Sequence, residues 1–142
     1  MMREPRRLYL CGPVTGVPDL NRPAFDEAAE TLREAGYAVL VPHDAVPAHA
    51  RWQDAMRICI AAMLGCDGVA LIDGWDRSRG AAVEIDIARK VGMTAFSAGY
   101  LAAVGNAENV GRKADGRTAE LRLFDELEAL RDLRIRRDSA ED

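Results

Sequence analysis

Leu71-Ile72-Asp73-Gly74-Trp75-Asp76-Arg77-Ser78-Arg79-Gly80-Ala81-Ala82-Val83-Glu84 reads as an apolar strand running through a tight polar turn into a helix. A helix from about Arg79 to Val91, advancing about 100° per residue, gathers Ala81, Val83, Ile85, Ile87, Ala88 and Val91 on one broad arc. Glu84 falls in the middle of that arc, while Asp86, Arg89 and Lys90 carry the solvated face. Burying a carboxylate costs several kcal/mol unless something compensates. Either Glu84 is paired with an arginine, or it sits on the rim of a wide apolar face, or it lines a cleft, and strand-turn-helix junctions are where open α/β sheets bind ligands.

On the N-terminal side, Leu8-Tyr9-Leu10-Cys11 is a short apolar run ended by Gly12-Pro13, a buried strand feeding a turn. The Gly- and Pro-rich loop from Gly12 to Asn21 suits close approach of backbone N–H groups to a ligand. It matches neither the dinucleotide fingerprint nor a P-loop. Pro23 opens a helix carrying Phe25, Ala28, Ala29 and Leu32, and Gly36 stops it. Tyr37–Val41 is a second strand, and residues His43 to His49 form a loop to which no role is assigned. Trp52–Leu64 is the next helix, with Trp52, Ala55, Met56, Cys59, Ala62 and Met63 inward. Asp67 starts a third strand through Ile72, continuous in the manner of a sheet covered on both faces, and Met93–Ser97 is a fourth.

This alternation predicts a flavodoxin- or Rossmann-like, doubly wound parallel sheet of four to five strands over residues 1–100. Residues 101–116, rich in Gly, Ala and Asn, read as a linker. Residues 117–142 read as a C-terminal amphipathic helix with a frayed tail; its leucines and Phe124 are expected to dock on the domain or on a sister subunit, as in a homodimer or larger homo-oligomer.

A chain of 142 residues suffices for one compact domain, and its net charge of −4 leaves no electrostatic footprint for a polynucleotide. The N-terminus lacks a signal-peptide core and no stretch is long enough to span a bilayer, so a cytoplasmic protein is expected. Cys11, Cys59 and Cys66 form no Cys-x-x-Cys pair, and His43 and His49 lack a third ligand at suitable spacing, so neither a disulfide framework nor a metal site is expected.

At the turn itself, Ser78 can cap the helix and Gly80 lets a ligand approach its first turn. Unpaired N–H groups and partial positive charge make Ser78-Arg79-Gly80 a candidate anion site, with phosphate the natural ligand. Capping alone would account for Ser78. An anion held there would lie one to two helical turns from Glu84, an arrangement that fits a nucleotide.

Tyr9-Leu10-Cys11-Gly12-Pro13 together with Ser78-x-Gly80-x-x-x-Glu84 resembles the nucleoside 2-deoxyribosyltransferase superfamily, which includes the deoxynucleoside 5′-monophosphate N-glycosidases. The likeness is closest to a small bacterial and phage branch, through Gly12–Gly16, Asn21–Phe25, Cys66-Asp67 and Gly74–Ala81, and it covers about the first hundred residues. The resemblance implies that Glu84 is the nucleophile attacking the anomeric carbon, that Tyr9 orients it, and that Ser78 takes the 5′-phosphate where nucleoside transferases carry an aspartate. The implied reaction is hydrolysis of a nucleotide's base-sugar bond through a glycosyl ester, without a cofactor.

One position departs from the superfamily pattern. An aspartate that assists the leaving base is usual eight residues ahead of the one opening the third strand; counting back from Asp67 gives Cys59. A thiol is a poor substitute for that acid. Asp73 and Asp76 are the alternative proton sources near the strand end. A nucleotide-binding or regulatory protein with little catalysis is the competing expectation, and transfer between bases is a third that Ser78 disfavours.

Overall fold

The structure is a computed structural model that describes residues 6–109. Four parallel strands, β1 (Arg7–Cys11), β2 (Ala38–Leu40), β3 (Gly68–Leu71) and β4 (Thr94–Ser97), pair in the order β2-β1-β3-β4. The connecting helices are α1 (Arg22–Glu34), the short α2 (Pro42–Ala45), α3 (Trp52–Leu64) and α4 (Arg79–Lys90), and helical backbone also spans residues 98–109, here α5. The fold is the α/β sheet that the alternating pattern predicts, with four strands among the described residues.

Because side chains alternate across a strand, β1 feeds two cores. Leu8 and Leu10 pack with Phe25, Ala29 and Leu32 of α1 and with Leu101 and Ala102 of α5. Tyr9 and Cys11 point to the other side, among Cys59 and Met63 of α3 and Ala81, Ile85 and Ala88 of α4. The apolar positions of α1 recur at i, i+4 and i+7, so each turn delivers one side chain to the same layer.

Several local expectations need correction. The expected linker begins as helix: α5 covers 98–109, with Leu101, Ala102 and Val104 at 5–6% exposure. Tyr37 donates its hydroxyl to Leu101 O at 2.9 Å and Asn109 Nδ2 donates to Ala35 O at 3.1 Å, tying α5 to the end of α1. Residues 110–116 and the expected C-terminal helix lie outside the described residues. Val83 and Val91 are 37% and 57% exposed rather than inward, because both sit at the margins of the arc that Glu84, Ala88 and Ala81 define. Pro42–Ala45, expected as loop, makes one helical turn.

The loop after β1 is built on a left-handed turn: Asp19, Leu20 and Asn21 have φ of 55°, 53° and 59°. Such backbone is costly for residues with a Cβ. Two side chains hold it. Asn21 Nδ2 donates to Pro13 O at 2.9 Å, and His43 Nε2 donates to Leu20 O at 2.7 Å. His43, given no role from sequence, is thus a brace for this loop, with its ring edge against Phe25.

Candidate functional site

The chain leaves β1 toward β2 on one side and returns to β3 on the other, so the sheet's switch point lies between β1 and β3. Ligands of open α/β sheets bind at the carboxyl ends of the strands at that point. Here those ends are Cys11-Gly12 and Leu71-Ile72, still paired through Ile72 N to Cys11 O at 2.9 Å. A Cβ on Gly12 would sit 3.0 Å from Ile72 Cβ, so glycine is what lets the two strand ends close together.

Glu84 projects from the second turn of α4 into this region and is 6% exposed. Among the described residues it alone is a buried charged side chain. Its Oε1 faces the Cys11 thiol at 3.8 Å, and its Oε2 is buried without a hydrogen-bond partner among the described residues. Among the described residues no arginine pairs with it. Burial pushes the carboxyl up to about 7, against the opposing influence of Tyr9 and Cys11, which favour the ionised form.

Tyr9, from the middle of β1, is 1% exposed and its hydroxyl interacts with both Glu84 and Cys59. Burial first, then those two neighbours, holds the phenol far above its usual range, so it keeps its proton. Cys59, on the inward face of α3, is 8% exposed; burial raises its thiol too, with Tyr9 pulling the other way. Tyr9, Cys59, Glu84 and Cys11 therefore form one buried polar group inside an otherwise apolar layer. Sequence reading left Cys11 as a buried thiol only. The signal that would have placed it is the two-residue period of β1, which sets it on the same face as Tyr9.

The remaining sequence-chosen positions lie along the start of α4. Ser78 caps the helix, its Oγ accepting from Ala81 N at 3.2 Å, which leaves the hydroxyl proton free to be donated. Arg79 is exposed and lays its guanidinium over the Trp52 ring at 4.2 Å, joining the first turns of α4 and α3. A Cβ on Gly80 would meet Met56 Sδ at 3.2 Å, so its smallness serves the close seating of α4 on α3. Asp73 and Asp76 are exposed on the turn after β3. The four buried groups come together, whereas Arg79 and the two aspartates face solvent. Among the described residues no three His, Cys, Asp or Glu side chains gather where they could hold a metal ion, and no helix is long and apolar enough to cross a membrane.

The profile of a family described as a domain of unknown function, DUF4406, matches residues 6–96. That span is more than half of the chain, and the protein belongs to this family. No curated protein matches the chain.

Proposed function

We propose that this DUF4406 protein is an N-glycosidase that hydrolyses the base-sugar bond of a (deoxy)nucleoside 5′-monophosphate, with Glu84 as nucleophile. The observation carrying the proposal is a carboxyl buried at the switch point whose Oε2 has no hydrogen-bond partner among the described residues. Burying it with only a phenol and a thiol to offset its desolvation destabilises the fold, and such cost persists where a site needs a desolvated, reactive group. The likeness of Tyr9, Ser78, Gly80 and Glu84 to the nucleoside 2-deoxyribosyltransferase superfamily supplies the reaction.

In that reaction the Glu84 carboxylate attacks the anomeric carbon as the bond to the base breaks, giving a glycosyl ester that water then hydrolyses. Tyr9, whose hydroxyl favours the ionised carboxylate, orients it. The Ser78 hydroxyl and the free N–H groups of the α4 terminus bind the 5′-phosphate, and the sugar lies beside the strand ends that Gly12 allows to close together. An aspartate at position 78 would repel a phosphate, which sets hydrolysis of nucleotides ahead of transfer between nucleosides. The expected setting is the cytoplasm, with the chain in a homo-oligomer.

A second reading, a nucleotide-binding protein of little activity, draws on Cys59, a buried thiol beside Tyr9 where the superfamily carries an acid. Release of free base from nucleoside monophosphates, lost in Glu84→Gln, supports the enzyme. A monophosphate that raises the melting temperature without any release supports the binding protein.

A further inference from the structure

Four large hydrophobic side chains are exposed among the described residues, and three of them, Leu64, Val83 and Val91 at 50%, 37% and 57%, lie on or just after α3 and α4. A single exposed hydrophobic is ordinary, whereas a contiguous set marks a surface that something covers. These three belong to one surface. Both helices return the chain from the carboxyl to the amino edge of the parallel sheet and pack on the same side of it, so they run side by side in the same direction. Their first turns meet, with Arg79 over the Trp52 ring and Gly80 seated against Met56. Residues four apart share a helix face. From Met56 that spacing leads along α3 to Ile60 and Leu64, and Val83, Ile87 and Val91 follow it along α4. Ile60 and Ile87 are half-buried, so the seam between the two helices carries an apolar stripe down to their C-terminal ends.

We infer that residues 117–137 of the same chain, folded as an amphipathic helix, lie along this seam and cover it. The described residues end at Asn109, whose side chain donates to Ala35 O at the C-terminal end of α1. Because α1, α3 and α4 all run toward the amino edge of the sheet, Ala35, Leu64 and Val91 lie at that same edge. The following segment therefore starts at the edge where the stripe ends, on the opposite face of the sheet.

Its length suffices to cross over. Residues 110–121 can extend to roughly 40 Å at about 3.3–3.6 Å per residue, and the distance around the edge is roughly two helix diameters, about 20–24 Å. Beyond them, Leu123, Leu127 and Leu130 recur at the i, i+4, i+7 spacing over about 10 Å, close to the roughly 12 Å that separates Val83 from Val91. A tether of this length holds the segment at a local concentration on the order of millimolar, which favours its own domain over another copy. The inference is independent of the glycosidase reading.

The test measures maleimide labelling of the full-length protein carrying Val91→Cys, Leu64→Cys or, as a reference on the other face, Glu30→Cys at an exposed position of α1. The three native cysteines are buried, and the unaltered protein supplies their background. Both seam cysteines should label at least about tenfold more slowly than Glu30→Cys, at a rate independent of protein concentration, because the reagent must wait for the segment to lift. Adding Leu127→Asp with Leu130→Asp should bring them to within about twofold of the reference and leave Glu30→Cys unchanged. Seam cysteines that label as fast as the reference would overturn the inference. So would slow labelling that the two aspartates do not relieve, since something else then covers the seam, and protection that fades on dilution, since the segment then comes from another copy.

Discussion

Cys11 Sγ lies 3.8 Å from Glu84 Oε1, a thiol from the end of β1 facing a carboxyl from α4, while the second carboxyl oxygen has no hydrogen-bond partner among the described residues. A thiol is a weak donor, and even with the Tyr9 hydroxyl beside it desolvation of the carboxyl prevails. Glu84 is accordingly a group the fold tolerates at a cost, and its titration becomes a property of the whole protein.

Stability should fall as pH rises through neutrality's acid side. The folded carboxyl holds its proton up to about 7, whereas the ordinary value is 4.5, so between those values the folded chain binds more protons than the unfolded one. The stability present below about 4.5 is lost progressively up to about 7, a total on the order of 3 kcal/mol. Denaturant melts at pH 5 and pH 8 should show this slope in the wild type and a flatter one in Glu84→Gln. Equal slopes would mean that Glu84 is not the titrating group.

Tyr9→Phe should keep the fold, since the ring that fills the α3–α4 layer remains, but it removes the hydroxyl that favours ionised Glu84. The ascending limb of base release against pH should move upward from about 7, and release at pH 7 should fall severalfold. An unmoved limb would place Tyr9 among purely structural residues.

Ser78→Ala separates a cap from a ligand. Loss of the bond to Ala81 N should cost about 1 kcal/mol in any event. If the hydroxyl also holds the 5′-phosphate, KM for a monophosphate should rise while weak binding of the matching nucleoside, measured by calorimetry, stays the same. Equal weakening of both would leave Ser78 with capping alone.

Gly105→Ala should destabilise the domain by about 1–3 kcal/mol, the usual range for overpacking. A Cβ there would stand 2.6 Å from Ala35 O and 2.8 Å from Tyr37 Cε2, where α5 crosses the end of α1. A thermal melt indistinguishable from wild type would show that α5 can shift without loss.

The parts of this protein legible in its sequence are those in which large side chains carry the period. Met56, Cys59 and Met63 bound α3 to the residues observed, and the continuous apolar run after Asp67 marks β3. Glu84 could be read as inward because its neighbours on the arc are apolar. The helix α5 could not, because only Leu101 and Val104 of its buried face are large, and Ala102 and Gly105 between and beyond them leave too short a hydrophobic period to detect. Nor could the left-handed turn at Asp19–Asn21, since its braces, Pro13 O and His43, come from distant parts of the loop and from α2. Gly80 was legible as special, but its contact with Met56 was not, because that residue comes from a helix elsewhere in the chain.

The most direct test of the central claim is chromatographic detection of free base after incubating a panel of ribo- and deoxynucleoside monophosphates, N7-methylated and halogenated bases included, with wild type and with Glu84→Gln. The account predicts release by the wild type, none by the variant, and nucleotide binding by both. Release that persists in Glu84→Gln, or its absence from both proteins while they bind the nucleotide, would contradict it.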